Sequence, residues 1–246
     1  MTIPRLYVPF DLHSGSSVII DDKQAHYLHT VLRKKPGDAV LLFNGRQGEW
    51  HATITGVTKK QIHAELLNQT RMQQPTTDIW LCFAPIKNGR IDFLVEKATE
   101  LGASKLLPVQ TERTVISRVN HTKCVANAIE ASEQTERLDV PEVLSYQPLL
   151  HMLDRWDESR TLLYGDETGQ GALAEDAFAQ LSTSFALLIG PEGGFTQKEF
   201  NLLRTRPYAR ALHLGKRVLR ADTAALSALT LAQYFAGDGK ERLNRK

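Results

Sequence analysis

Cysteine is scarce: Cys82 and Cys124 stand far apart, and neither belongs to a CxxC or Cys/His cluster. That argues against a disulfide framework or a structural zinc and fits a reducing compartment. No apolar run comes near the roughly 20 residues a spanning helix needs. The opening Met1-Thr-Ile-Pro-Arg-Leu-Tyr-Val-Pro9 lacks a basic segment followed by an apolar stretch, so no signal peptide is expected and the cytoplasm is. Neither the phosphate loop GxxxxGK[ST] nor the dinucleotide pattern GxGxxG occurs, so an ATPase or a nicotinamide dehydrogenase has no motif behind it. No residue cluster suggests a metal. What is present is an ordinary globular composition, 246 residues with 42% hydrophobic and 24% charged, enough for one large domain or two smaller ones.

The net charge of +2 says little, but its distribution says more. Residues 1–75 hold nine Lys/Arg against six Asp/Glu, and five of the eight histidines. So small an excess suits a solvated surface; phosphate binding, however, needs only a local cluster, and Arg33-Lys34-Lys35 beside His26 and His29 is one.

The first 75 residues read as mostly β, with Val18-Ile-Ile20, Ala39–Phe43 and Trp50–Val57 separated by turn residues. One helix is expected from Gln24 to Arg33, with Ala25, Leu28 and Leu32 on one face. The polar stretch Asn68–Thr77 reads as a linker, which puts a domain boundary near residue 73. Beyond it strands and helices alternate. Ile79–Ala84, Leu106–Val109, Thr161–Gly165, Phe185–Gly190 and Arg210–Gly215 are strand candidates. Helices are expected over 91–101, 124–137 and 222–235, and Thr196-Gln-Lys-Glu199 has the form of a capping box. Such alternation predicts an α/β fold with a largely parallel sheet covered on both faces.

Ligands of such sheets bind outside the carboxyl ends of the strands. Three strands here end in loops of unusual composition: Tyr164–Gly171, Gly190-Pro-Glu-Gly-Gly-Phe-Thr196 and Leu214–Ala224. A glycine without Cβ lets a ligand lie against main-chain N–H and C=O groups, and adenine can be read in that way. A single Gly-Gly is more simply a tight turn; three such loops in succession point to a ligand. Glu167-Thr-Gly-Gln-Gly171 also matches E-x-G-x-G, the cofactor loop of Rossmann-like methyltransferases. In that fold most of the domain follows the loop, and only 75 residues follow Gly171, so the match is set aside as coincidence.

These blocks, with others, carry a resemblance. His26–Arg33 with Pro36-Gly37-Asp38, Lys87, Val95–Gly102, Thr111-Glu-Arg113, Ala131–Gln134 with Arg137 and Pro141, Ile189–Phe195 and Leu214–Ala224 occur in order along the chain. In these residues the sequence closely resembles the bacterial 16S ribosomal RNA small subunit methyltransferase E family, within the knotted SPOUT methyltransferases. The resemblance implies a PUA-like β-barrel that binds RNA over residues 1–73 and a knotted α/β methyltransferase domain over 74–246. It further implies S-adenosylmethionine as cofactor, a homodimer, and methylation at N3 of one uridine in 16S rRNA of the 30S subunit. Two residues depart from the family pattern: Asp222 replaces the usual glutamate, and Glu136 the usual glycine before Arg137.

The adenosyl pocket is then expected from Gly165, Leu188, Gly190, Pro191, Glu192, Gly193, Leu214, Gly215, Val218, Leu219 and Thr223. N3 of uridine is a poor nucleophile until its imide proton leaves, so the resulting charge needs a cationic partner. Arg220 is the first candidate; its competing role is to pair with Asp222 and brace the loop. Glu133, Gln134 and Glu192 are candidates for orienting the base. His26, Arg33, Lys34, Lys35, Lys87, Arg113 and Arg137 are expected on the RNA, with a buried or capping role competing at His26. Glu96 and Glu100 suit a solvated face or ion pairs better than a carboxylate pair. The alternatives are a SPOUT enzyme acting on a ribose 2′-hydroxyl or on tRNA, and a non-catalytic RNA-binding assembly factor.

Overall fold

The computed structural model describes residues 3–58, 60–87, 89–179, 181 and 184–241. They form two compact units: Met1–Pro75 together with Ser132–Val140, and Thr76–Ala131 together with Pro141–Lys246.

The first unit is a five-stranded sheet built from β1 (Arg5–Tyr7), β2 (Ser17–Asp21), β3 (Ala39–Phe43), β4 (Glu49–Val57) and β5 (Gln61–Arg71), with α1 (Asp22–His26) after β2. The strand order is β1-β3-β4-β5-β2, antiparallel except for β1 on β3. Alternation sorts the faces. Leu6, Val18, Ile20, Val40, Leu42, Ala52, Ile54, Ile62, Ala64 and Leu66 point into one core with Ala25 and Leu28. β5 continues to Arg71, into the stretch expected as linker, because the pairing of Gln69 with Trp50 and Arg71 with Glu49 needs only main-chain groups. Its last five side chains are exposed, which is why hydrophobic pattern does not reveal the strand there.

The expected helix Gln24–Arg33 is divided. α1 ends at His26, and Tyr27–Val31 is a π-helical turn in which Leu32 N–H donates to the Tyr27 carbonyl at 3.0 Å. Arg33 then takes a left-handed conformation (φ 54°), and Lys34 N–H reaches back to the Leu28 carbonyl at 2.9 Å. That pattern is a helix C-cap of the kind usually made by glycine.

Ser132–Val140 is fastened to the first unit by polar contacts. The guanidinium of Arg5 lies 4.0 Å from the Phe43 ring centroid and donates to Glu49 and to the main-chain carbonyls of Ser132 and Arg137. Burial lowers the pKa of Arg5, opposed by the Glu49 carboxylate. Arg71 donates to the Glu136 carbonyl at 2.9 Å.

The second unit is an eight-stranded parallel sheet: β6 (Asp78–Phe83), β7 (Lys105–Gln110), β8 (Glu142–Val143), β9 (Gln147–Pro148), β10 (Thr161–Gly165), β11 (Ala172–Leu173), β12 (Ser184–Ile189) and β13 (Ala209–His213). The order is β11-β13-β10-β12-β6-β7-β8, with β9 also on β7. The helices are α2 (Arg90–Glu100), α3 (His121–Gln134, of which Ser132–Gln134 belongs to the first unit), α4 (Leu149–Asp154), α5 (Ala174–Phe178), α6 (Gln197–Arg204) and α7 (Ala221–Ala236). β12, at the centre, is an almost continuous buried run, as a strand covered on both faces must be. α4 and α6 bring Met152, Leu153, Phe200 and Leu203 onto Leu107, Leu162 and Leu188, while α7 packs against β6, β12 and α2. α2 stops at Gly102 (φ 81°), and α6 starts with both halves of the expected capping box between Thr196 and Glu199.

Candidate cofactor pocket

β10, β12 and β13 are neighbours in the sheet, so the loops leaving their carboxyl ends meet. Between them lies a cavity of about 410 Å³, within the usual size for a small-molecule site. Gly165, Asp166, Glu167 and Gly169 line it from the first loop, and Ile189 through Gly194 from the second. His213 through Leu219 line it from the third, and Ala221 and Ala224 of α7 close it.

The second loop is built tightly. Gly194 N–H donates to the Pro191 carbonyl at 2.9 Å, and Gly194 has φ 66°. The end of the exposed Glu167 side chain lies over Gly194, so the first two loops touch there, and it is the left-handed backbone of Gly194 that favours glycine. Arg113 donates to the Gly193 carbonyl at 2.6 Å and braces the same turn. The first loop is held by Asp166, whose N–H donates to the Leu212 carbonyl at 3.0 Å and whose carboxylate accepts Thr168 N–H at 2.9 Å. In the third, Gly215 has φ 101° and open space where a Cβ would stand.

Most of the residues expected for the cofactor therefore surround one cavity: Gly165, Gly190, Pro191, Glu192, Gly193, Leu214, Gly215, Val218 and Leu219. Two lie elsewhere. Leu188 is fully buried in β12, and Thr223 faces a shallow groove on α7 beside Phe93 and Leu226. Position in sequence suggested both, but strand alternation turns the first into the core and helical phase turns the second away. The sequence reading missed Asp166, Glu167, Gly169 and His213. Glu167 and Gly169 belong to the E-x-G-x-G match set aside above: the Rossmann reading fails, yet the loop still lines the cavity. His213 follows the alternation of β13, and its Nδ1 is buried without a partner.

Among the base-orienting candidates Glu192 is exposed and lines the cavity. Arg220 is the exposed N-cap residue of α7 and offers no side-chain cap. It enters none of the ion pairs found among the described residues; Asp222 pairs with Arg90 at 3.3 Å instead. Glu133 and Gln134 belong to the first unit, where the Glu133 carboxylate accepts Tyr7 N–H at 2.9 Å and Gln24 at 3.2 Å.

The expected RNA residues are scattered. His26, Arg33 and Lys35 are exposed on the first unit with Lys34 half-buried, and His26 lies 3.3 Å from the Thr30 hydroxyl. Lys87 and Arg113 are exposed in the second unit. Arg137 is different: its fork is engaged by Asp139 at 3.0 and 3.1 Å, and its side chain is only 10% exposed, so its charge is already committed within its own unit. Lys97 bonds both Glu96 and Glu100 at 2.7 Å, the ion-pair reading of that carboxylate pair.

Burial drives the thiol pKa of Cys82 far up and also raises that of Cys124, so neither offers a thiolate nucleophile. Tyr164, one residue before the cavity wall, is raised by burial and stays protonated. Among the described residues no group of three His, Cys, Asp or Glu gathers as a metal site, and no helix is long and apolar enough to cross a membrane.

Residues 72–233 match the model of an RNA methyltransferase domain, and residues 20–67 that of an RNA methyltransferase PUA domain. A ribosomal RNA small subunit methyltransferase E from Rickettsia conorii is 31% identical, over 98% of this chain and 99% of its own length. The chain belongs to the ribosomal RNA small subunit methyltransferase E family. Another relative of that name, from Bacillus subtilis, is 26% identical over 87% of this chain and 89% of its own. Among solved structures, the methyltransferase E from Neisseria gonorrhoeae, bound to S-adenosylmethionine, superposes with a TM-score of 0.87. It is 29% identical and covers 96% of this chain and 99% of its own. A methyltransferase from Legionella pneumophila, also with bound S-adenosylmethionine, gives 0.86 at 28% identity, covering 95% and 98%.

Proposed function

We propose that this protein transfers a methyl group from S-adenosylmethionine to N3 of a uridine in the 16S RNA of the small ribosomal subunit. The observation that carries this reading is the cavity bounded by the three loops after β10, β12 and β13, in a family with a solved member that holds S-adenosylmethionine. The cavity suits that cofactor. Gly190, Gly193 and Gly215 line it, and Gly215 has open space where a Cβ would stand, so main-chain groups there are available to an adenine edge. Ala221 and Ala224 bring the first turn of α7 to the cavity wall, and its orphan N–H groups suit a carboxylate.

When bound, the cofactor supplies an electrophilic methyl group. The residues of this chain then have three tasks. The loops fix the methyl group in line with the incoming N3. Glu192, at the cavity wall, orients the base. Arg220, which enters no ion pair among the described residues, stabilises the negative charge that grows on the uracil carbonyls as the imide proton passes to solvent water. The first unit holds RNA through the basic cluster at His26–Lys35, and two copies of the chain act together as a cytoplasmic homodimer.

Labelled cofactor, purified protein and 30S particles from cells lacking the modification form the direct test. Mass spectrometry of the digested RNA should find one methylated uridine with the label on N3. Label on a ribose, label on tRNA, or no transfer despite cofactor binding would each overturn the assignment.

A further inference from the structure

The π-helical turn Tyr27–Val31 presents more than positive charge. From His26 to Gly37 only Leu28 is buried, and this one residue anchors the turn in the core of the first unit. Around it Tyr27 is 44% and Val31 61% exposed, so an aromatic ring and an aliphatic surface stand in solvent. The same segment carries His26, His29, Arg33, Lys34 and Lys35, and no Asp or Glu occurs from Lys23 to Gly37. None of these cations enters an ion pair found among the described residues.

The backbone here is also unusual. A π-turn is rare and is found frequently at functional sites. Arg33 closes it in the left-handed region, where a non-glycine residue is strained. That conformation turns the chain back, so that the basic residues follow directly on the turn bearing Tyr27.

We propose, building on the RNA reading above, that Tyr27 is a stacking platform for an unpaired base of the RNA substrate, with Arg33, Lys34 and Lys35 holding the adjoining phosphates. An exposed ring beside unpaired cations matches single-stranded RNA, whose bases can be splayed onto an aromatic face. It does not match a duplex, whose bases are already stacked. The first unit therefore selects an unpaired segment rather than reading helical RNA through its phosphates alone.

The test uses the full chain, a short single-stranded RNA containing uridine, and the same sequence in an A-form duplex. Tyr27→Ala should weaken single-strand binding by roughly tenfold, the usual effect of removing one base–aromatic stack, while Tyr27→Phe stays within about twofold of the parent. Duplex binding and the mass in solution should be the same for all three proteins. Equal single-strand affinity for Tyr27→Ala and the parent, or an equal weakening on duplex, would overturn the proposal. So would a parent that self-associates through this face while Tyr27→Ala does not. A parent that binds S-adenosylmethionine but neither RNA overturns the RNA reading itself, and the platform with it.

Discussion

Arg90 donates to the Asp222 carboxylate at 3.3 Å, and that pair takes away the partner Arg220 would otherwise have had. The two roles open to Arg220 from sequence, charge stabilisation and bracing the loop, therefore lead to different expectations for its variants. Arg220→Ala should reduce turnover on the order of 10²–10³-fold, and Arg220→Lys should remain impaired, since lysine keeps the charge but not the planar fork. Melting temperature and cofactor affinity should barely move. If instead both variants melt early and turn over normally, Arg220 is a brace. Asp222→Asn is the control. Its pair with Arg90 is partly exposed, 37% at Arg90 and 16% at Asp222, so denaturant titration should find a cost of about 1 kcal/mol or less. A catalytic defect matching that of Arg220→Ala would show the two residues acting as a unit.

The glycine-rich turn can be probed one methyl group at a time. A Cβ at Gly193 would meet the Arg113 side chain at 3.4 Å, an ordinary contact, so Gly193→Ala should bind the cofactor like the parent. Gly193→Val adds branches that crowd Arg113 and the cavity, and calorimetry should find weaker binding. Unchanged affinity in a folded Gly193→Val protein would remove this turn from the cofactor site.

Much of this was legible in the sequence because a buried parallel strand and a patterned helix write themselves in apolar spacing. The strands at Thr161–Gly165 and Ser184–Ile189 and the Thr196–Glu199 cap are of that kind. Four features were not. The end of β5 pairs through main-chain groups and exposes its side chains, so no periodicity marks it. The π-turn differs from an α-helix by less than one residue per turn over five residues, too short a span for spacing to resolve. Residues 132–140 join the first unit through hydrogen bonds to their carbonyls and to the Glu133 carboxylate, contacts that leave no periodic apolar pattern. The cavity residues Asp166 and His213 depend on how far a strand runs before it turns, and sequence places strand ends least well.

Glu136 bears on one of the two departures from the family pattern. It and Arg33 are the non-glycine residues with positive φ among those described, at 60° and 54°. The resemblance implies a glycine at the position of Glu136, and a left-handed backbone there suits one. Glu136→Gly should stabilise the protein by about 1 kcal/mol, the strain relieved outweighing the entropy gained by the unfolded chain. The bond from Arg71 goes to the Glu136 carbonyl and survives the substitution. A lower melting temperature would mean that the glutamate side chain contributes something that outweighs the strain.

Asp78 gives a pH dependence. Burial alone would raise its pKa, but Arg160, Trp80 and Ser104 all donate to its carboxylate and hold it below the ordinary 3.8. Because the folded value is the lower one, the stabilisation is complete above the ordinary value and disappears as pH falls through the folded one. The melting temperature of the parent should therefore fall more steeply than that of Asp78→Asn as the pH drops below about 4. Parallel curves would deny Asp78 that part in acid unfolding.

Salt should report on the basic cluster. Replacing Arg33, Lys34 and Lys35 by alanine should flatten the dependence of log affinity on log salt by roughly 0.7 for each phosphate of a single strand that is no longer neutralised. An unchanged slope would place the phosphate-binding groups on another surface.

The buried bonds from Arg5 to the carbonyls of Ser132 and Arg137 also constrain the order of events during synthesis. A chain made from its amino end produces all five strands of the first sheet well before residue 132 exists. Until then the Arg5 guanidinium has Glu49 but not its carbonyl acceptors, and Tyr7 N–H lacks the Glu133 carboxylate. The first unit is therefore finished only after residue 137 has left the ribosome.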